Sequence, residues 1–480
     1  MLNQRTIRRL AIAVAVAALA VSPALGQGAD FTRYVALGDS LTAAFMSGGL
    51  INEVQRNSYP ALINTQAGGR ADFQQPLVGT PGIPPLLDLV SLRPLIIAPK
   101  SSTNGLPQNL GLQRPYDNLA VPGFRVRDVL NNPTGNGLVD LILRPPGFGN
   151  ASALQQALLL RPTFVTLWIG NNDVLGAATS GIVIEGVTLT PVAQFEQQLR
   201  SIVSPIRAAG ANLAIANIPN VTVIPFVTTI PPVVVNPTTN MPVLVNGQPV
   251  PLLGPNGPLA LTDRVLLTAS GPLSRGIGIP LGIPGGTGMA LSTQFVLDGN
   301  ELAMLSSRVA AYNDVIRRVA SEAGAALVDM NGAFNEIAAE GLEIAGIEFS
   351  SAFLTGGIFS YDGVHPTPFG YAFTANEFIA AINERFGNEI EPVDLFRFTF
   401  GSDGSAGTFT GSVLVKDLVF SEAAYENLRR SLRTPSTERL LEILRQRGQD
   451  EGPTGGPGPT GDRPEPPAKR PQRDRPNADG

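Results

Sequence analysis

The sequence predicts a doubly wound α/β fold, and two observations carry that prediction. Short apolar runs at 34–37, 116–121, 164–169, 213–218 and 325–328 run into Gly, Asn or Asp and then into sequence of helical period, as buried parallel strands do. Two of the intervening helices are well marked. From Phe195 the apolar positions fall at Leu199, Ile202 and Ile206, and from Leu302 at Leu305, Val309, Tyr312, Ile316 and Val319, with Gly324 as the stop. Strands alternating with helices argue for helices on both faces of a parallel sheet.

Composition supports a globular body with long connections. Of 480 residues, 43% are hydrophobic and 15% charged, enough for a sizeable core, while 52 glycines and 42 prolines imply extensive irregular segments. Two such segments, 46–115 and 221–295, mix Pro and Gly with Val, Leu and Ile and show no period. They are too apolar to be left in water and read as ordered insertions over the sheet, either as packing or as a substrate-shaping lid. After Phe386 the pattern changes. Residues 395–400 and 409–415 alternate apolar and polar positions around a glycine-rich stretch, 401–407, which suggests an antiparallel hairpin, and a basic helical stretch follows over about 422–447. The expected organisation is a body over 27–388, a hairpin and helix extension over 389–448, and a disordered Pro/Gly-rich tail over 449–480.

Residues 1–26 have the form of a secretory signal. Arg5, Arg8 and Arg9 precede an apolar run from Leu10 to Val21, and Ala24, Leu25 and Gly26 lead to Gln27. The apolar run is short for a membrane span, which needs ~20 residues, and no later segment is long and apolar enough for one. The expected destination is outside the cytoplasm, in the periplasm, at the cell surface or in the medium, with no stable transmembrane segment in the mature chain.

The inventory excludes several chemistries. With no cysteine and one histidine, the chain has no thiol catalysis, disulfide, Fe–S cluster or zinc site of several His or Cys ligands. Nothing in the sequence calls for a metal or an organic cofactor. A formal charge of −5 and the lack of interleaved basic and aromatic residues argue against nucleic acid as a partner.

Four local patterns carry chemistry. Gly38-Asp39-Ser40-Leu41-Thr42 follows the first apolar run, so Ser40 stands at the carboxyl end of a strand, where open α/β sheets place their ligand crevice. Taken alone, Asp39 or Ser40 reads equally as the cap of a helix beginning near Leu41. Asp362-Gly363-Val364-His365 lies just before Thr367 and Pro368, an N-cap and N1 pair opening a helix through Tyr371, Phe378 and Ile382. A lone histidine is often structural, but Asp362 is placed to accept its Nδ1 proton. As the only imidazole, His365 is also the side chain suited to general-base work near neutral pH. Gly170-Asn171-Asn172-Asp173 follows the run containing Trp168; the Asn172 amide could donate to a developing oxyanion, or the tetrad could simply end a strand. Gly123 follows the run ending at Val121 and offers a backbone N–H.

Together these patterns gather a hydroxyl, an amide, a backbone donor and an imidazole at one sheet edge, the inventory of acyl transfer. At these residues the chain resembles the SGNH/GDSL hydrolases, whose blocks match in order: the GDS block at Ser40, a glycine block at Gly123, GxND at 170–173 and DxxH at 362–365. The blocks bracket about 330 residues. The resemblance implies a flavodoxin-like sheet of five parallel strands with helices on both faces. It also implies Ser40 as nucleophile, His365 as base, Asp362 as its orienter, and an oxyanion hole made of the Ser40 and Gly123 N–H groups and the Asn172 side chain. Two departures are Val121-Pro122 before Gly123 and the two long insertions, so substrate class does not transfer with the chemistry. The GxSxG elbow of α/β-hydrolases is absent.

The expected function is an exported serine carboxylic ester hydrolase of the lipase/esterase type. The apolar insertions favour lipid or aliphatic esters. The alternatives are a polysaccharide O-acetyl esterase and, outside enzymes, an envelope binding module on the same scaffold.

Overall fold

Alternate residues of each strand point to opposite sides, and here both sides are buried, which is why the runs are apolar throughout. The computed structural model describes residues 28–92, 94–133, 135–236, 239–399 and 418–450. Strands β1 (Tyr34–Gly38), β2 (Phe164–Trp168), β3 (Asn212–Ala216) and β4 (Ala326–Val328) form one parallel sheet in that order, with Tyr34 opposite Phe164 and Gly38 opposite Trp168. Val35, Leu37, Val165, Leu167, Leu213 and Ile215 face a core closed by α1 (Asn172–Ser180), α2 (Val192–Ala208) and α3 (Gly299–Ala323). Tyr34, Phe164, Trp168, Ala214 and Ala216 face the other side, against α4 (Pro368–Phe386) and the helix Tyr59–Gln66. Across that second face Tyr59 stacks on Phe378 and meets Trp168 edge-on, at centroid distances of 4.5 and 5.8 Å. The fold class is therefore as the sequence predicts.

Cap chemistry sets the helix ends. Asp298 and Glu301 form a reciprocal capping box at the start of α3, and Gly324, with φ +64°, ends it in the left-handed conformation that glycine tolerates best. Thr367 caps α4 and Pro368 occupies its first position, as expected from their order.

The sheet has four strands rather than five. The expected strand at 116–121 does run parallel to β1, and Leu119 N and Val121 N donate to Ala36 O and Gly38 O at 2.9 and 3.2 Å. It makes only a single bridge, Ala36 with Asn118. Pro115 and Pro122 bracket it, and on its outer side Asp117 N and Asn118 N both turn to Gln74 O, so no longer ladder develops. Nor does a helix begin near Leu41. Residues 40–44 form tight turns that end on Ala44 with φ +58°.

The insertions are more structured than their sequence suggests. The first contains the Tyr59–Gln66 helix and an antiparallel pair, Leu87–Leu92 with Leu95–Pro99. The second holds three two-stranded ladders around a separate cluster that includes Ile230, Val234, Leu252 and Val265. In the C-terminal extension, β5 (Leu418–Phe420) joins the first insertion's pair, parallel to Leu95–Pro99. Leu395–Phe398, expected to be a hairpin strand, is instead one 3₁₀ turn, because Asp394 Oδ1 accepts from Phe396 N and starts a helical turn. The rest of that hairpin, the signal segment 1–26 and the tail from 451 lie outside the described residues. The basic helical stretch is two helices, α5 (Glu422–Ser431) and Thr437–Asp450, since Pro435 lacks an N–H and disfavours helical backbone before it. The chain divides into two compact units, 1–437 and 438–480, and the described part of the second is the remainder of that last helix. Among the described residues no helix is long and apolar enough to cross a membrane.

Gly38 is the tightest point of the sheet edge. A Cβ there would lie 2.1 Å from Thr42 Oγ1 and 2.6 Å from Trp168 O. Gly38→Ala should therefore lower the unfolding free energy by about 2–3 kcal/mol, read as a shifted denaturation midpoint. An unshifted midpoint would contradict the packing described.

Candidate active site

The carboxyl edge of the sheet is where the site is assembled. Directly after β1, Asp39 is fully buried; its Oδ1 accepts from Leu41 N at 3.0 Å and its Oδ2 from Asn171 Nδ2 at 2.9 Å. These bonds shape the turn that presents Ser40. Before α4, the loop carrying Asp362 and His365 is folded by the carboxylate itself, since Asp362 Oδ1 accepts from Val364 N and His365 N at 2.9 and 2.8 Å. Gly363, at φ +70°, lets this loop approach Phe226, whose N–H donates to Gly363 O.

Three of the singled-out residues meet in one hydrogen-bonded chain. His365 Nε2 is 2.9 Å from Ser40 Oγ, and His365 Nδ1 is 2.8 Å from Asp362 Oδ2. With the Nδ1 proton on the carboxylate side, Nε2 is left as an acceptor facing the hydroxyl. Gly48 N donates to the same Oδ2 at 2.9 Å. Burial alone would push the Asp362 carboxyl up, but the imidazole and these donors outweigh it and hold the group below the usual carboxylate range. Phe45 packs on the imidazole at 4.9 Å between ring centroids. His365 is 0% and Ser40 2% exposed, so a reactant reaches them only through the adjoining cleft.

That cleft spans about 630 Å3, part of it open solvent, and its wall is overwhelmingly apolar. Ser40, His365 and Asn171 line it beside Leu175, Val221 and Phe334.

Gly123 and Asn172 stand at the same sheet edge but not in the cleft wall. Gly123 has φ +78° and follows the segment bonded to the end of β1. Among the described hydrogen bonds neither the Ser40 nor the Gly123 N–H is engaged. Asn172 opens α1 and donates its Nδ2 to Phe124 O at 3.0 Å, which couples it to the Gly123 turn, while its buried Oδ1 has no partner among the described residues. Asp173 clamps the two together: its Oδ2 accepts from Val126 N and its Oδ1 from Thr190 Oγ1, and burial pushes its carboxyl up to about 6. The sequence reading missed Asn171 as a cleft residue, although it lies inside the tetrad that was read. It also missed Gly48, which supports Asp362 from a position more than 300 residues away and carries no local signal, and Ser360, two residues before Asp362 in its own loop. Among the described residues no group of three or more His, Asp or Glu is arranged to hold a metal ion.

A hydroxyl, an imidazole and a carboxylate joined in series above a parallel sheet define a hydrolase-type α/β protein. Residues 34–378 match the model of the GDSL-like Lipase/Acylhydrolase family, and the chain belongs to that family. It is accordingly a serine hydrolase of ester bonds, with a small-molecule ester as substrate. Similar solved structures include LAE5, an alpha/beta hydrolase enzyme from the metagenome of Lake Arreo, at 15% identity and TM-score 0.34, covering 75% of this chain and 98% of that one. Axe2, an acetylxylan esterase from Geobacillus stearothermophilus, is 14% identical with TM-score 0.33, over 77% and 99% of the two chains. EstA, a psychrotrophic esterase from Pseudoalteromonas sp., is 14% identical with TM-score 0.30, over 74% and 100%. Likenesses this distant add nothing to the family assignment. No curated protein matches the sequence.

Burial pushes the Asp39 carboxyl up to about 6, against its hydrogen bonds from Asn171 and Leu41. A raised carboxyl favours the folded state in its protonated form. Its contribution is full below the unfolded value near 4 and is lost as pH rises through about 6, a swing of about 3 kcal/mol. Asp39→Asn should thus flatten the fall in stability between pH 4 and 7, measured by urea midpoints at several pH values. An unchanged slope would show that Asp39 is not the group responsible.

Proposed function

We propose that Ser40 is the nucleophile, His365 the general base and Asp362 the carboxylate that orients it. The observation that carries this reading is the continuous chain Asp362–His365–Ser40, with both contacts below 3 Å between buried side chains. As Ser40 Oγ attacks the ester carbonyl carbon, its proton passes to His365 Nε2 and the imidazolium is stabilised by Asp362. The tetrahedral oxyanion is received by the Ser40 and Gly123 N–H groups with the Asn172 side chain beside them. Collapse breaks the bond to the alcohol oxygen, which takes the proton from Nε2. Water then repeats the sequence on the acyl-enzyme, releasing the acid and restoring Ser40.

The apolar cleft favours an aliphatic acyl group. Desolvating each additional methylene there contributes about 0.8 kcal/mol, whereas an acetyl group leaves most of the wall unused. We place the substrate among lipid or aliphatic esters, and we place the protein outside the cytoplasm on the form of residues 1–26.

Ser40→Ala should lower kcat on p-nitrophenyl esters by about 10⁴- to 10⁶-fold with the denaturation midpoint kept, His365→Ala by a similar factor beyond any loss of folded fraction, and Asp362→Asn by about 10⁴-fold. Near-normal turnover in either of the first two variants would remove the assignment. On the parent enzyme kcat/KM should rise from acetyl to butyryl and hexanoyl esters. A maximum at acetyl, with release of acetate from acetylated glycans, would move the substrate to polysaccharide. Export is checked separately, by finding the mature N-terminus near Gln27 in the exported fraction.

A further inference from the structure

The turn that bears Gly123 is not held by its neighbours in sequence alone. In the space a Cβ of Gly123 would fill stand Ser431 O, at 2.3 Å, and Arg433 Cγ, at 2.7 Å. The segment that follows α5 is therefore pressed against this turn, and only glycine admits it.

Arg433 is the unusual residue of that segment. Its φ is +55°, at a helix end where backbone geometry favours glycine; there Arg433 N donates to Arg430 O and Thr434 N to Arg429 O. A non-glycine residue in that conformation carries backbone strain, which directs attention to what its side chain touches. The guanidinium lies 5.4 Å from the Phe124 ring centroid, and Nη1 is 3.3 Å from Asp128 Oδ2, an ion pair without hydrogen-bond geometry. Both partners flank Gly123. Phe124 O receives the Asn172 amide at 3.0 Å, and Asp128 Oδ2 receives Arg125 N at 3.0 Å, fixing the start of the short helix Val126–Val129. Around this contact the buried Ser431 Oγ, Thr434 Oγ1 and Asn172 Oδ1 have no hydrogen-bond partner among the described residues.

Resting on the catalytic reading above, we infer that Arg433 is a positioning residue for the oxyanion site. From the C-terminal extension it clamps Phe124 and Asp128, and thereby aims the Gly123 N–H and the Asn172 amide at the reacting carbonyl oxygen. It touches no reacting atom, so its removal should act on the transition state rather than on acyl binding.

The test is Arg433→Gly in the full chain, because glycine accepts the left-handed backbone and removes only the side chain. With p-nitrophenyl butyrate, kcat should fall about 10- to 100-fold, with KM within twofold and the thermal midpoint equal to or above the parent's. Arg433→Lys, which restores the charge opposite Asp128, should recover part of the loss. A kcat within twofold of the parent's in Arg433→Gly overturns the inference, as does a loss that only follows the folded fraction. Ser40→Ala is measured alongside. If it retains the parent's turnover, the catalytic reading itself is wrong; if it is inactive while Arg433→Gly is unimpaired, only the role of Arg433 fails.

Discussion

A fully buried imidazole held between a carboxylate and a hydroxyl is the constraint that the remainder of the site serves. An ionised carboxyl out of reach of water is tolerated only when its lone pairs are occupied. Asp362 meets that demand with donors from two places: the His365 ring and backbone, Val364 and Ser360 of its own loop, and Gly48 from far along the chain. Gly48 comes from the first insertion. There, Ser47 N also donates to Ser360 Oγ, and Tyr361 N donates to Ser47 Oγ. Tyr371 of α4 donates its hydroxyl to Phe45 O, tying the helix to the stretch before it. The beginning of the insertion thus supplies one of the carboxylate's donors, the Gly48 N–H.

Three buried aspartates show how a facing imidazole, with the donors around it, changes the outcome of burial. Asp39 and Asp173 each receive two hydrogen bonds from neutral groups, and burial prevails, pushing both up to about 6. Asp362 is as deeply buried, yet it faces an imidazole and more donors, and it is held low. The difference separates places in the fold: Asp39 and Asp173 fasten turns through neutral donors, whereas Asp362 lies against the imidazole.

Much of this was legible from the residues. The central strands were visible because both faces are buried, so periodicity collapsed into short apolar runs, and the helices α2 and α3 because one face of each meets the sheet. Thr367 and Pro368 marked the start of α4 through capping chemistry alone. What failed, failed for physical reasons. The 116–121 segment has the composition of a strand but is stopped by prolines on either side, and Leu395–Phe398 alternates like a strand while Asp394 caps it into a turn. At the site, Ser40, Asp362 and His365 stood in short motifs and are joined in the structure. The contacts of Gly48 with Asp362 and of Arg433 with the Gly123 turn link positions hundreds of residues apart, and no local pattern encodes such a meeting.

The same distinction explains why chemistry was easier to read than substrate. The reacting groups must lie within hydrogen-bond reach of one another, a requirement that restricts residue type and leaves short motifs. The cleft wall has no such requirement. Val221 comes from the second insertion and Phe334 from the helix after β4, and any well-packed apolar residue would serve at either place. The wall therefore gathers helix and loop residues from distant parts of the chain with no shared spacing.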